Sequence, residues 1–360
     1  MPCSSLQKLL SKNIIHTTID NYSIEESIFE SILKDYDGFE KWFKGIQLKR
    51  RNCFAIENEE KELEAILIYK SEQITGGHNL DKKVAVNNIL KICTFKVKET
   101  KFGKKIGELL IHKIIKVALI NNLPAIYVTA YPKHDYLIKL LEKFGFERKL
   151  EYKDEIYLYK DLTKNSLLDL PFFSYQRNIV KNFPFFNDRY EEVNKFILPI
   201  RPHYHDRIFY DYPKREQSLF DNPTSINSES NSILKAYFGK FSRDIKVGDI
   251  ILFYRSQDLM KITNLSIVVQ VFGKAFQGMY HEVSKYRTVF SKEELKSYKE
   301  SKNSTLIIFM PIFYLNQKIT FNDLSKLSMA DNKLQTINQI DDIQYRNIIQ
   351  NEKCYNCFHL

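Results

Sequence analysis

The chain is poor in the residues that mark several classes of protein. Its 360 residues include five cysteines, 11 glycines, 10 prolines and one tryptophan. Five cysteines are too few for a disulfide framework, and so little Gly and Pro excludes collagen-like and linker-dominated chains. No apolar run approaches the roughly 18 residues of a membrane-spanning helix, and the first residues hold no apolar core of signal-peptide length. We therefore expect a soluble, cytoplasmic protein with no membrane partner.

What the chain does contain is apolar material and positive charge. Hydrophobic residues make up 44% and aromatic residues 14%, which is enough for sizeable cores. The length predicts two domains at about 100–200 residues each. The 54 Lys and Arg exceed the 44 Asp and Glu by ten. This balance is compatible with a polyanionic partner such as RNA or another nucleic acid.

The first half of the chain predicts a mixed α/β unit. Apolar residues recur at helical spacing from Ser23 to Lys44. The alternating strand-like run Asn88–Val97 is followed by an amphipathic stretch over Lys105–Asn121 and a β-rich run over Ala125–Tyr131. Gly145 is expected to end a further short helix as its C-cap. Strands and helices in this order indicate a mixed sheet covered by helices.

The second half predicts short strands after an aromatic connector. Residues 163–194 contain PFFSYQ and FPFF, which is too aromatic for a free linker, so this connector is expected to dock on a domain. Strand-like runs such as Asp249–Tyr254 and Leu265–Phe272 follow at long, irregular spacing. They predict a small, partly open barrel with helical insertions. The predicted domains are residues 1–162 and 195–360.

The sharpest chemical motif lies between a strand and a long helix. It runs from Val97 to Gly107 and reads VKETKFGKKIG. A turn of this kind directs backbone N–H groups outward at a helix start, where the helix dipole favours an anion such as phosphate. Gly103 and Gly107 would allow close approach of a ligand. An ordinary turn with solvated lysines remains the alternative.

From about residue 10 to residue 162, this motif and the element order resemble the GCN5-related N-acetyltransferase (GNAT) family. Phe144-Gly145-Phe146, followed by two strands, is similar to a glycine–aromatic corner of that family. The resemblance implies acetyl-CoA or another acyl-CoA as co-substrate. Backbone groups of Phe95 and Val97 would pair with the pantetheine arm. The turn amides would hold the pyrophosphate, and they belong to Phe102, Gly103, Lys104, Lys105, Ile106 and Gly107.

The chain departs from the family pattern at the positions that usually carry acid and base. Leu90–Thr94 offers no glutamate on the fourth strand, and Leu141 stands where a tyrosine is common. Tyr131 and His134 are the candidate catalytic replacements, because both lie at the end of the fifth strand. Packing is the alternative role for Tyr131, and a polar helix start is the alternative for His134.

The second domain resembles the PUA-like superfamily, including its ASCH and EVE branches. The segment Ile245–Ser256 reads IKVGDIILFYRS, and the apolar strand Leu265–Val271 follows it. The resemblance implies a small pseudo-barrel that binds RNA or modified nucleobases. Stacking faces and cations suit such ligands. The candidate contacts are Arg201, Tyr204, Arg207, Tyr254 and Arg255, whereas Phe253 is expected in the core.

Two motifs have the residue types of metal ligands. His203 and His205 would share one face if they lay on a strand, and Cys354, Cys357 and His359 form half a zinc site by spacing. Neither has the remaining ligands nearby in the sequence, so we expect no metal and a frayed C-terminal tail.

Together the two resemblances imply an acyl-CoA-dependent N-acyltransferase that modifies an amine of an RNA-associated substrate. One alternative is a catalytically degenerate protein that binds CoA and RNA and acts in regulation. Another is a small-molecule N-acetyltransferase, which would have an acidic acceptor cleft.

Overall fold

The computed structural model describes residues 14–73, 88–101, 105–152, 154–163, 167, 169–209, 212, 233–239, 241, 244–273, 278, 287–288, 290, 294, 296, 305–316, 319–320, 323–324, 334 and 336–360. The chain divides into two compact units. Among the described residues, the first unit comprises residues 14–163 and the second comprises residues 167–360.

The first unit is built on a seven-stranded mixed sheet. Its strands are β1 (Ile15–Thr18), β2 (Asn52–Glu57), β3 (Leu63–Gln73), β4 (Asn88–Val97), β5 (Ala125–Ala130), β6 (Glu147–Tyr152) and β7 (Glu155–Asp161). They lie in the order β1-β2-β3-β4-β5-β7-β6, in which only the β4–β5 pair is parallel. The mixed α/β class predicted for this half is confirmed.

Two short helices cover one face of this sheet, α1 (Glu30–Asp35) and α2 (Phe39–Leu48). The single helix predicted from Ser23 to Lys44 is wrong, because the chain turns between them at Gly38, which has φ of +80°. Only glycine adopts that conformation without strain. The turn allows Phe43 of α2 to pack in one core cluster with Phe29, which directly precedes α1, and with buried residues of β2 and β3.

The amphipathic stretch predicted over Lys105–Asn121 is helical as α3 (Ile106–Ile120), and α4 (Asp135–Lys143) follows β5. Gly145 ends α4 with φ of +83°, and its N–H donates to the Glu142 carbonyl at 3.1 Å, as a C-cap requires. The segment Phe144-Gly145-Phe146 therefore turns the chain directly into β6. None of the described helices is both long and apolar enough to cross a membrane.

The second unit contains a six-stranded sheet. Its strands are β8 (Lys195–Ile200), β9 (Lys235–Gly239), β10 (Ile250–Arg255), β11 (Lys261–Phe272), β12 (Thr305–Tyr314) and β13 (Asn338–Ile340), in the order β13-β8-β10-β11-β12-β9. The mainly-β class is confirmed, and Phe253 lies in the core at 0% exposure, as predicted. Among the described residues, β13 and β9 form the two edges, so closure into a pseudo-barrel is not observed.

The described part of the second unit also contains the helices α5 (Phe172–Arg177), α6 (Ile179–Asn182), α7 (Pro202–Ile208), α8 (Asp342–Ile349) and α9 (Lys353–Phe358). The aromatic connector packs within this unit. Tyr175 is 1% exposed, and its hydroxyl accepts from the Asn187 N–H at 3.1 Å. The expectation of a frayed tail is wrong, because the tail is helical and His359 is buried.

Candidate functional site

The parallel strands β4 and β5 separate partway along their length. They pair at Leu90↔Ile126 and Lys91↔Tyr127, and the last pair is Ile92↔Val128. Beyond it, β4 continues to Val97 against β3 alone. Among the described residues, the β5-facing edge of Cys93–Val97 therefore has no strand partner, and its backbone groups are available to a ligand.

A cavity of about 1110 Å³ opens along this separation. Both strands line it, β4 through Cys93–Val97 and β5 through Val128, Thr129 and Ala130. The start of α3 and residues of α1, α2 and α4 also line it. Its volume slightly exceeds the range of about 300–1,000 Å³ that is common for small-molecule sites.

The predicted phosphate turn borders this cavity, although only part of it is described. Phe102, Gly103 and Lys104 lie outside the described residues. The cavity is lined by Lys105, Ile106 and Gly107 of the turn. It is also lined by Phe95 and Val97, the residues predicted to pair with the pantetheine arm. Lys105 has φ of +61° and directly precedes the first turn of α3. A helix start leaves backbone N–H groups without helical partners, and these favour an anion.

Gly107 has a packing role that the sequence does not predict. A Cβ built on Gly107 would lie 2.6 Å from Cδ2 of Leu140. The glycine thus permits the close contact of α3 with α4. A charged substitution at Gly107 would report on this contact as well as on phosphate binding.

One lysine of the turn is paired with an acid. Lys101 Nζ lies 2.6 Å from Oε1 of Glu64, whose side chain is 6% exposed. The other carboxylate oxygen of Glu64 is buried and has no hydrogen-bond partner. Part of the positive charge expected at the turn is therefore neutralised by β3.

His134 lines the cavity beside Asp35 at the end of α1. Its Nε2 lies 3.7 Å from Asp35 Oδ2, and Lys133 Nζ lies 2.6 Å from Asp35 Oδ1. Burial lowers the pKa of His134 below its usual 6.5, although the charge of Asp35 opposes that shift. The imidazole is therefore neutral near pH 7 and able to accept a proton.

Tyr131 is placed differently from His134. Its ring stacks on Tyr36 at 4.6 Å between centroids, and it is not among the described residues that line the cavity. This contact matches the packing role left open for Tyr131. Its catalytic role stays a prediction.

Sequence patterns did not identify the acids that line this cavity. Asp35 and Glu155 both line it, yet Asp35 ends α1 and Glu155 begins β7, 120 positions later. Only the folded chain brings them together. Leu141, at the position where the resemblance implies a tyrosine, is 0% exposed and belongs to the core.

Three of the predicted nucleic-acid contacts lie on or next to α7 of the second unit. Arg201 and Arg207 are exposed. Tyr204 is half-buried, its hydroxyl donates to Glu294 Oε1 at 2.5 Å, and its ring lies 4.7 Å from that of Phe290. The two arginines are the candidates that reach solvent.

The other two candidates are engaged inside the unit. Tyr254 is 3% exposed, so it presents no open face for stacking. Arg255 is 9% exposed, and its guanidinium donates to Asp206 Oδ1 and to Asp258 Oδ2, each at 2.5 Å. Burial and pairing fit a structural role for both residues.

The expected strand around His203 and His205 is also wrong, because this segment is α7. His205 is buried at 0% exposure and lies 2.9 Å from the Thr263 hydroxyl through Nε2. Arg255 Nη1 lies 3.2 Å from its Nδ1. Burial lowers the pKa of His205. Within the described part of the chain, no group of three or more His, Cys, Asp or Glu residues is arranged to hold a metal ion.

Comparison with known proteins gives matches to solved structures alone. No family model and no curated protein matches the chain. ASCH from Zymomonas mobilis matches with 7% identity and a TM-score of 0.33, over 44% of this chain and 96% of its own. Among GNAT N-acetyltransferases, Arabidopsis thaliana NAA60 in complex with a bisubstrate analogue matches with 15% identity and a TM-score of 0.33, over 41% of this chain and 96% of its own.

A second structure of that kind is Chaetomium thermophilum Naa20 in complex with a bisubstrate analogue. It matches with 11% identity and a TM-score of 0.35, over 43% of this chain and 90% of its own. The matches include both kinds of domain that the sequence resembles, GNAT and ASCH. The fold described above rests on the chain's own strand pairing.

Proposed function

We propose that the protein is an acyl-CoA-dependent N-acyltransferase, acetyl-CoA being the expected donor. The observation that carries this proposal is the separation of β4 from β5 beyond Ile92↔Val128, with a cavity along the exposed strand edge. A thioester arm needs such an edge for its amide groups. The start of α3 at one end of the same cavity suits a diphosphate.

Different residues of the cavity would contact different parts of acyl-CoA. Backbone groups of Phe95 and Val97 would pair with the pantetheine arm, and the amides of Lys105, Ile106 and Gly107 would face the diphosphate. Bound acyl-CoA supplies an activated acyl group. The chain supplies proximity and orientation, which contribute several kcal/mol on their own.

His134 is the base that we propose for the acceptor amine. An ammonium group must lose a proton before it can attack a carbonyl, and a neutral imidazole in the cavity is able to take it. Asp35, 3.7 Å from His134 Nε2, would stabilise the imidazolium that results. Leu141 stands in the core where the resemblance implies a tyrosine, so the proton for the leaving thiolate would come from His134 or from solvent.

The second domain, residues 195–360, is proposed to recruit the RNA-associated substrate, with residues 163–194 as its connector. Two exposed arginines, Arg201 and Arg207, and the net charge of +10 for the chain support this proposal. Such charges favour polyanions in a salt-dependent way.

A CoA-binding regulatory protein without catalysis is the second candidate. The observation that favours it is Leu141, which is fully buried and offers no acid. The third candidate, a small-molecule acetyltransferase with an acidic cleft, agrees less well. The described cavity lining has nine Lys or Arg residues and five Asp or Glu residues, a formal excess of four positive charges.

Calorimetric titration with CoA tests the donor site. Wild-type protein should bind CoA, and Thr129→Trp should abolish binding because the new ring fills the gap between β4 and β5. Lys139→Trp is the control, since Lys139 is 71% exposed on α4 and lies outside the described cavity lining. Equal CoA affinity in both variants would show that CoA does not bind between β4 and β5.

An assay with radiolabelled acetyl-CoA then separates the candidates. Label in RNA or in RNA-bound protein supports the proposed acyltransferase. CoA binding without any labelled product, in RNA, protein or small-molecule pools, supports the regulatory protein.

A further inference from the structure

Three cationic side chains stand side by side on the sheet of the first unit. Lys70 of β3 is the direct cross-strand partner of Lys91 of β4. Cys53 of β2 pairs with Ile68 of β3 in antiparallel register. Arg51 comes two residues before Cys53, and Lys70 comes two residues after Ile68. Continuing this antiparallel register brings Arg51 beside Lys70. We call Arg51, Lys70 and Lys91 the cationic row.

The cationic row lies in the wall of the cavity described above. All three residues line it, together with Cys93. The row is on the same sheet face as Ile66 and Ile68, which α1 and α2 cover, and Lys91 extends it toward Tyr127 of β5. The Lys91 Nζ is 5.2 Å from the centre of the Tyr127 ring. The row therefore borders the point where β4 and β5 separate.

Like charges on directly opposed residues destabilise a sheet. One carboxylate relieves part of this repulsion, because Glu72 forms an ion pair with Lys70 and accepts a hydrogen bond from the Tyr127 hydroxyl. Three cations against one carboxylate leave a formal excess of two positive charges. A wall that retains such an excess is complementary to an anion.

The row is separate from the expected diphosphate site. Lys91 and Val97 are six residues apart on β4, which corresponds to roughly 20 Å along a strand. The start of α3 is therefore at one end of the cavity and the cationic row at the other. The start of α3 is the site proposed for the CoA diphosphate. The cationic row is therefore available to an anionic group of the acceptor.

We infer that the acceptor is an amine that carries an oxyanion group, a phosphate or a carboxylate, and that the cationic row binds this group. The inference rests on the proposed acyltransferase function and adds the chemical class of the acceptor. Arg51 provides a planar fork for two oxyanion oxygens, and Lys70 and Lys91 provide charge. The amine then projects toward the separation of β4 and β5, where the thioester would lie. An acceptor attached to RNA has phosphates of this kind.

Binding of three small probes tests the inference without turnover. O-phosphoethanolamine carries an amine and a phosphate, β-alanine carries an amine and a carboxylate, and ethanolamine carries the amine alone. Each is titrated calorimetrically into the full chain saturated with CoA, so that the diphosphate site is not available to the probe. We expect at least one oxyanion probe to bind tenfold or more tightly than ethanolamine. The tighter of the two identifies the oxyanion.

Variants locate the site within the cavity. Arg51→Gln and Lys91→Gln should each weaken the preferred probe about tenfold, because each removes one charged contact. Lys139→Gln, an exposed lysine outside the described lining, should change its affinity less than twofold. Added salt should weaken the wild-type interaction.

Two results would overturn the inference: equal affinity for ethanolamine and both oxyanion probes, or oxyanion binding that neither variant alters. The comparison among probes uses wild-type protein, so it holds even if a variant fails to fold. A separate CoA titration keeps the two proposals distinct. If the protein binds CoA but does not prefer the oxyanion probes, the inference about the acceptor is wrong and the acyltransferase proposal stands. If it prefers an oxyanion probe but does not bind CoA, the acyltransferase proposal is wrong.

Discussion

Asp188 accepts a hydrogen bond from Nε2 of His359 at 2.7 Å, across 171 positions of the chain. Both side chains are buried. The same carboxylate accepts from the hydroxyls of Tyr345 and Tyr355, each at 2.8 Å. One acid thereby ties the aromatic connector to the C-terminal segment of the second unit.

Removal of this carboxylate should destabilise the protein strongly. Asp188→Ala leaves His359 and two buried tyrosine hydroxyls without their acceptor, and loss of one partner from a buried charged group costs about 3–5 kcal/mol. Urea unfolding measures the loss. Asp244→Ala is the control, because the Asp244 side chain is 85% exposed, and it should cost less than about 0.5 kcal/mol. Similar losses in the two variants would contradict the role of Asp188.

The contribution of Asp188 should disappear in acid. Burial opposes its ionisation, but hydrogen bonds and charge from His359, with the two tyrosines, outweigh burial and lower the pKa of Asp188 below 3.8. A depressed pKa stabilises the fold above the unfolded-state pKa and ceases to do so as pH falls through the folded-state value. The stability gap between wild type and Asp188→Asn should therefore narrow below pH 3.8. If the stability difference between wild type and Asp188→Asn widened in acid, the pKa of Asp188 would not be lowered in the folded protein.

The close contact of Gly107 with Leu140 predicts a coupled pair of substitutions. Gly107→Ala places a Cβ within 2.6 Å of Leu140 Cδ2 and should cost about 1 kcal/mol as the leucine shifts. In the Leu140→Ala background the same change should cost nothing or stabilise, since Ala is the better helix former. Thermal unfolding of the four proteins of this cycle gives the coupling. Additive effects would exclude the contact.

If His134 is the base, acetyl transfer should depend on its protonation. The rate should rise with pH through a value below 6.5 and then level off, because burial lowers the pKa of His134 and only the neutral ring accepts a proton. His134→Gln should lower kcat by about 10²–10⁴ and remove the acidic limb of the profile. Affinity for CoA should be retained.

A second histidine serves as the control for that profile. His16 lies on β1, hydrogen-bonds Tyr69 at 2.7 Å and is not among the described cavity-lining residues. His16→Gln should keep both the rate and the acidic limb. An unchanged limb in His134→Gln would assign the base elsewhere, with Glu155 as the next candidate in the cavity.

Substitutions of Arg255 and Arg201 in the second unit should have different effects on stability, because Arg255 is buried and Arg201 is exposed. Arg255→Gln removes the partner of Asp206 and Asp258 and should lower the free energy of unfolding by about 2 kcal/mol. Arg201→Gln alters an exposed side chain and should leave stability unchanged. RNA affinity measured against salt concentration provides the second readout, in which Arg201→Gln should reduce the slope by about one if Arg201 contacts a phosphate. Equal salt slopes would exclude that contact.

Local patterns in the sequence were sufficient for several elements, including β4, β5 and α3 of the first unit and β10 and β11 of the second. The alternation of Asn88–Val97 predicted β4 to the residue, and the amphipathic stretch after it predicted α3, because side-chain periodicity follows backbone geometry. Local patterns failed where a turn or a distant contact decided the outcome. Gly38 broke the first predicted helix, and the segment around His205 became helical while its imidazole was buried.

The sequence by itself determined the two classes of fold, the strand–turn–helix corner before Ile106 and the excess of positive charge. These properties depend on neighbouring residues and on composition. Only the tertiary structure decided that His134 meets Asp35, that Asp188 meets His359 and that Arg51 joins Lys70 and Lys91. Contacts of this kind depend on strand register and helix packing between residues far apart in the chain, which no local pattern encodes.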